Sequence, residues 1–134
     1  MCIRDSIYSA AGDYYSKIGN LDSSLHCFLN ALDIARKLGV SFQIANHLSS
    51  IGFVYKKMGN KAQAKTYFNK ALALADSIQH SRAVYEVSKS LSDLYSNEGN
   101  TAMALPLLQR HLVLKDSIRT VSYTHLTLPT SDLV

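Results

Sequence analysis

The chain has 134 residues, 47% of them apolar, and carries 14 Lys and Arg against 10 Asp and Glu, for a net charge of +4. That is one globular domain's worth at most, and no apolar run nears the ~20 residues of a bilayer crossing, which excludes a membrane-spanning helix in this segment. The basic excess is mild and local, in Lys56, Lys57, Lys61, Lys65 and Lys70, and reads as a solvated helix face, not as the dense basic stripe of a nucleic-acid binder.

In chain order the first feature is the opening string MCIRDS. Met1 to Asp5 can be encoded ATG TGT ATA AGA GAC, whose reverse complement, GTC TCT TAT ACA CAT, encodes the run Val121 to His125. Ser6 as AGT matches Thr120 as ACT in the same way. An inverted repeat in DNA has no counterpart in folding physics, so residues 1–6 and 120–134 resemble translated sequencing-adapter ends and are set aside as a tag would be. The Thr-rich tail, with its alternating polarity and Pro129, is expected to be disordered. What remains, 7–119, reads as an internal piece of a longer protein. Without Arg4, Asp5 and Asp132 its net charge becomes +5, and without Cys2 it holds one cysteine. Cys27 alone builds neither a disulfide nor a zinc site and reads as a small buried side chain.

The interior repeats itself. Tyr15, Tyr55 and Tyr95 stand forty apart, as do the pairs Gly19-Asn20, Gly59-Asn60 and Gly99-Asn100. Phe28, Phe68 and Leu108 keep the same phase, as do Ala31, Ala71 and His111, and the string ADSI at 75–78 answers KDSI at 115–118. Self-similarity at this period signals stacked supersecondary units. The spacing predicts helices over 7–18, 21–37, 42–58, 61–78, 82–98 and 101–118. In the second unit Ile44, Leu48, Ile51, Gly52 and Tyr55 share one helix face. Gly59 supplies a left-handed helix end, Asn60 can cap the next helix, and Gln63 is placed to close a capping box. Ala64, Tyr67, Phe68, Ala71 and Leu72 then repeat the apolar face.

Gly52, Tyr55, Gly59, Ala64, Phe68 and Ala71, repeated as Gly12, Tyr15, Gly19, Phe28 and Ala31, resemble the tetratricopeptide repeat over the whole of 7–119. The resemblance implies an all-α, right-handed solenoid of three helix-turn-helix hairpins, at 7–38, 41–78 and 81–119. Its departures are Ser24 and His111 for the two small Ala positions, Ser92 for the first Gly, Leu108 for the aromatic, and Pro106 in the second turn of the last helix. Period forty exceeds the usual 34 and resembles the longer-helix subclass of bacterial signalling proteins.

Catalytic and metal chemistry find no support in the sequence. His26, His47, His80 and His111 show no metal-ligand spacing, no Ser lies in a nucleophile elbow, and the Gly-Asn pairs are explained by capping; no cofactor is expected. Binding is different. If the Tyr55 face holds the core, the opposite stripe of that helix is Asn46, Ser50, Phe53 and Lys57, flanked by Ser49 and Lys56. Its equivalents forty residues on are Glu86, Ser90, Asp93 and Asn97, with Lys89 beside them, and forty back Ala10, Asp13 and Lys17. This mixed, polar wall is the expected peptide groove. Phe53 is its one large apolar residue, either an anchor for a peptide or packed under the neighbouring helix. Ser9, Asp13 and Ser90 stand where chaperone-tail clamps of this family carry Lys, Asn and Arg, so a carboxylate clamp is not supported.

The resemblance therefore implies a non-catalytic module binding a protein or peptide, with no nucleic acid and no membrane contact by this segment. The finer expectation is the sensor or scaffold region of a bacterial protein with a histidine kinase or helix-turn-helix output. A free-standing scaffold and a peptide-responsive regulator are the alternatives. Homodimerisation through the longer protein and the compartment, cytoplasmic or periplasmic, stay open.

Overall fold

The computed structural model describes residues 3–132. Six helices follow one another: α1 (Ile3–Lys17), α2 (Leu21–Leu38), α3 (Ser41–Met58), α4 (Lys61–Ser77), α5 (Ser81–Asn97) and α6 (Thr101–Asp132), with no strand among the described residues. Each helix packs chiefly on the helices before and after it in the chain, and α3 also touches α5. The result is an all-α solenoid of three hairpins, α1–α2, α3–α4 and α5–α6.

The hairpin turns are built from the repeated Gly-Asn pairs. Gly19, Gly59 and Gly99 take φ of 85°, 85° and 78°, left-handed values that cost an L side chain but not glycine. The Asn that follows turns its side chain to the next helix. Asn20 Oδ1 accepts from the Ser23 amide (3.3 Å), Asn60 Oδ1 from Gln63 (3.2 Å) and Asn100 Oδ1 from Met103 (3.2 Å), one orphan amide satisfied per helix start. The expected capping box is only half made. The Asn60 amide is already donated back to the Tyr55 carbonyl at 3.0 Å, which leaves nothing for Gln63 to receive.

One continuous core runs through the three hairpins: Phe28 and Leu32 from α2, Leu48, Ile51 and Val54 from α3, Ala64, Phe68 and Ala71 from α4, Val87, Leu91 and Leu94 from α5. Alanines at 64 and 71 let α3 and α4 approach while Phe68, fully buried, fills the space between them. Two departures from the repeat are absorbed by hydrogen bonds. Ser24 Oγ donates to the Gly12 carbonyl at 2.8 Å. His111, buried, places Nδ1 2.8 Å from the Tyr85 carbonyl oxygen and stacks on the Tyr85 ring. Cys27 is free and buried.

Both ends correct the sequence-based expectation. Helix α1 begins at Ile3, inside the stretch set aside, and α6 runs without a break from Thr101 to Asp132 instead of giving way to a disordered tail near 120. Once a helix is nucleated on a packed face, each added residue gains a backbone hydrogen bond and needs no apolar stripe of its own. Pro106 lies inside α6 without ending it.

A polar cleft between the first and second hairpins

The stripe opposite the Tyr55 face meets its counterpart on α1. Asp13, Ser16 and Lys17 of α1 face Ser50, Phe53, Val54 and Lys57 of α3 around an open cleft of about 250 Å³, with Phe28 of α2 at its base. A second cleft, of about 350 Å³, continues from it toward the start of both helices, between Ser6, Ser9, Ala10 and Asp13 on one side and Phe42, Gln43, Asn46, His47 and Ser50 on the other. Asp13 and Ser50 border both. Asn46, Ser50, Phe53 and Lys57 recur at spacings of four, three and four, so a helix keeps them on one side, and that side is the one α1 leaves open.

Phe53 packs against the neighbouring helix while keeping part of its ring in the cleft. It is 36% exposed, yet its ring meets Phe68 edge to face, with centroids 5.2 Å apart and planes at 84°. Lys57 Nζ donates to Ser16 Oγ across the cleft at 2.8 Å. Asn46 Oδ1 lies 3.2 Å from His80 Nε2, and the His80 ring stacks on Phe42 with centroids 4.4 Å apart.

The rest of the expected wall lies toward α5. Lys89 donates to Asp93 Oδ1 at 3.0 Å, and Lys56 reaches the same carboxylate at 4.0 Å, joining α3 to α5. Glu86 is held by Arg82 on its own helix at 3.1 Å, and Asn97 is exposed near the end of α5. None of these four α5 residues lines either cleft of the α1–α3 side. Ser49 is a correction: it is buried. It stands two helical turns before Lys56, on the side of α3 that turns to α5, where a small side chain is covered. Ser90, named with the wall, is also buried, its Oγ donating to the Glu86 carbonyl at 3.2 Å.

Ser16, Phe42, Gln43, His47 and Val54 line the clefts without having been read as groove residues from the sequence, and Ser6 lies in the stretch set aside. Gln43 is buried, and its Oε1 accepts no hydrogen bond. The signal was present, since Gln43 is three residues before Asn46 and seven before Ser50, an extension of the same stripe by one turn. Among the described residues no group of three or more His, Cys, Asp or Glu side chains could hold a metal ion, and no helix is long and apolar enough to cross a membrane.

Residues 4–77 match the family model of the tetratricopeptide repeat. No curated protein matches the chain. Among solved structures, the TPR domain of Arabidopsis FLU superposes with a TM-score of 0.79 at 15% identity, over 85% of this chain and 96% of that one. BtubC (BKLC) from P. vanneervenii gives 0.75 at 20% identity, over 84% of this chain and 46% of that one. A Rap protein complexed with Competence and Sporulation Factor gives 0.73 at 21% identity, over 87% of this chain and 33% of that one. These likenesses are of fold.

Proposed function

This chain belongs to the tetratricopeptide repeat family, whose repeats generally mediate protein–protein interaction, and from that premise we propose that it is a non-catalytic module gripping an extended segment of a protein partner in the cleft between α1 and α3. The observation that carries the reading is the meeting of Asp13 and Lys17 with Ser50, Phe53 and Lys57 around one open cleft. A half-exposed aromatic in a ring of polar groups suits an anchor side chain, and the polar groups suit main-chain amides and carbonyls. That a Rap protein of similar fold is complexed with Competence and Sporulation Factor supports a ligand-holding use of the fold. Glu86, Lys89, Asp93 and Asn97 on α5, with Lys56, form the flank along which a longer segment continues. The forty-residue units, closing on the related strings at 75–78 and 115–118, favour the sensor or scaffold region of a larger bacterial signalling protein over a free-standing scaffold.

The test is selection of displayed random peptides on the full chain, followed by binding of the winners to Phe53→Ala and Lys57→Ala proteins. A peptide set that loses about tenfold in affinity, or ~1.4 kcal/mol, on Phe53→Ala supports the reading. Winners indifferent to both substitutions would remove it. The parent gene downstream of Arg119 tests the signalling context: a kinase or helix-turn-helix output supports it, and further repeats ending in a stop codon refute it.

A further inference from the structure

Gln43 is only 8% exposed, and its Oε1 is closed off from water without a hydrogen bond. An acceptor buried in this way costs stability. The fold itself does not ask for it, because forty residues on the same place on α5 is filled by Ala83, also buried. Gln43 lines the larger of the two clefts between α1 and α3. The last torsion of a glutamine is broad, so a small turn brings Oε1 to a donor lying there. Asp13 stands on the opposite wall. Its equivalent on α5, Asp93, holds Lys89 at 3.0 Å and Lys56 at 4.0 Å, whereas Asp13 pairs with no cation among the described residues. Lys17 and Lys57 share the smaller cleft with it, but Lys57 turns to Ser16 instead. No Lys or Arg lines the larger cleft, which adds the Ser50 hydroxyl and the exposed ring of Phe42, covered by His80 on one side. Asp13, Phe42, Gln43 and Ser50 all lie within the repeated units, so this corner is internal to the solenoid and owes nothing to its ends.

We propose that the larger cleft takes an arginine side chain of the partner segment, its guanidinium paired with Asp13 and donating to Gln43 Oε1. The inference rests on the peptide-cleft reading above and names the residue that the cleft selects. A guanidinium carries five donors in one plane, enough for a carboxylate, a carboxamide oxygen and the Ser50 hydroxyl together, and its flat face suits the open side of the Phe42 ring. A lysine ammonium has no such plane. Lys17 and Lys57 repel a cation from the smaller cleft, so the segment lies with its arginine toward the starts of α1 and α3 and its apolar anchor at Phe53.

Random peptides displayed against the full chain should yield binders that share an arginine at one aligned position. Replacing that arginine by glutamine should weaken binding to the wild type about tenfold or more, and to Asp13→Asn far less, because the two changes remove the same pair. Gln43→Met keeps the side chain's bulk and removes the acceptor, so it should bind the same peptides several-fold more weakly yet melt no lower than the wild type. Binders that need Phe53 but share no arginine overturn this inference and leave the cleft reading standing. So do binders whose arginine matters equally to the wild type and to Asp13→Asn. Binders indifferent to Phe53, Lys57 and Asp13 alike, or a selection that yields none, overturn both. A Gln43→Met protein that melts well below the wild type and keeps its affinity assigns Gln43 to the fold and overturns its place in the site.

Discussion

A Cβ atom placed on Gly52 would stand 2.8 Å from two ring carbons of Phe68, so the face of α3 is cut away where the ring of α4 presses on it. The first unit is built alike, with Gly12 and the Phe28 ring at the same 2.8 Å. In the third unit both members change together, to Ser92 and Leu108: as the ring shrinks, the position opposite gains a side chain. Gly52→Ser should therefore destabilise by about 1–3 kcal/mol, as overpacked cores do. Joined with Phe68→Leu, which reproduces the third pair, it should cost clearly less than the sum of the two single changes. Urea unfolding of the three variants measures the coupling, and strict additivity would show that the ring and the glycine do not constrain each other.

Phe53 has a smaller share in stability than its neighbour. Its ring is partly in solvent and touches Phe68 by one edge contact, so Phe53→Ala should lose about 1–2 kcal/mol, from an aromatic pair and partial burial. Phe68→Ala should lose about 3–5 kcal/mol. Equal losses in thermal melts would place Phe53 in the core and remove the anchor proposed for the cleft.

Adjacent positions on α4 separate the packed face from the wet one. Ala71 is fully buried and Lys70 is exposed, its ammonium 5.4 Å from the Tyr67 ring centroid. Ala71→Phe should cost roughly 1–3 kcal/mol or more, and Lys70→Ala no more than the ~0.5–1 kcal/mol of an exposed cation–π contact. Circular dichroism melts decide between them.

The turn between the second and third hairpins carries avoidable strain. Gln79, at the register position of Gly39, adopts φ 56° and is the one non-glycine residue at positive φ among the described residues. A left-handed L residue is disfavoured by roughly 1–2 kcal/mol, while glycine surrenders some of that gain as chain entropy. Gln79→Gly should stabilise by about 0.5–1 kcal/mol, read as a higher urea midpoint at unchanged slope.

Arg110 of α6 grips the Asp76 carboxylate of α4 with both terminal nitrogens, Nη1 to Oδ2 at 2.9 Å and Nη2 to Oδ1. That hydrogen bonding raises the guanidinium pKa above its ordinary value, against the opposing pull of burial and with help from the carboxylate's charge. A raised folded pKa gives stability that is whole below the unfolded pKa and lost only as pH climbs through the folded one. The arginine therefore contributes no pH dependence between pH 5 and 9. Because the pair is well exposed, Asp76→Asn should cost only about 0.5–1 kcal/mol, and less in 1 M salt. A large loss that survives salt would mean the carboxylate does more than pair.

Helix boundaries between residues 17 and 101 were legible because the signals are local: Gly59 must take a left-handed φ and Asn60 must cap, whatever surrounds them. The ends were not, since a codon argument about Met1 to Ser6 concerns DNA, while helix propagation is indifferent to where residues came from. The stripe Asn46, Ser50, Phe53 and Lys57 was legible from the helical period. The burial of Ser49 was not, because it depends on which side of α3 faces α1 and which faces α5, a matter of how neighbouring hairpins stack.

Because each helix leans mainly on its sequence neighbours, few contacts oblige the far ends of the chain to let go together. Linear arrays of this kind lose their structure progressively from their termini. The amides of α3 and α4, which alone have a hairpin on either side, should be the last to exchange with deuterated water, and those of α1 and α6 the first. The same locality of contact shortens the search for the native state, so the chain should refold quickly and begin from its middle hairpin.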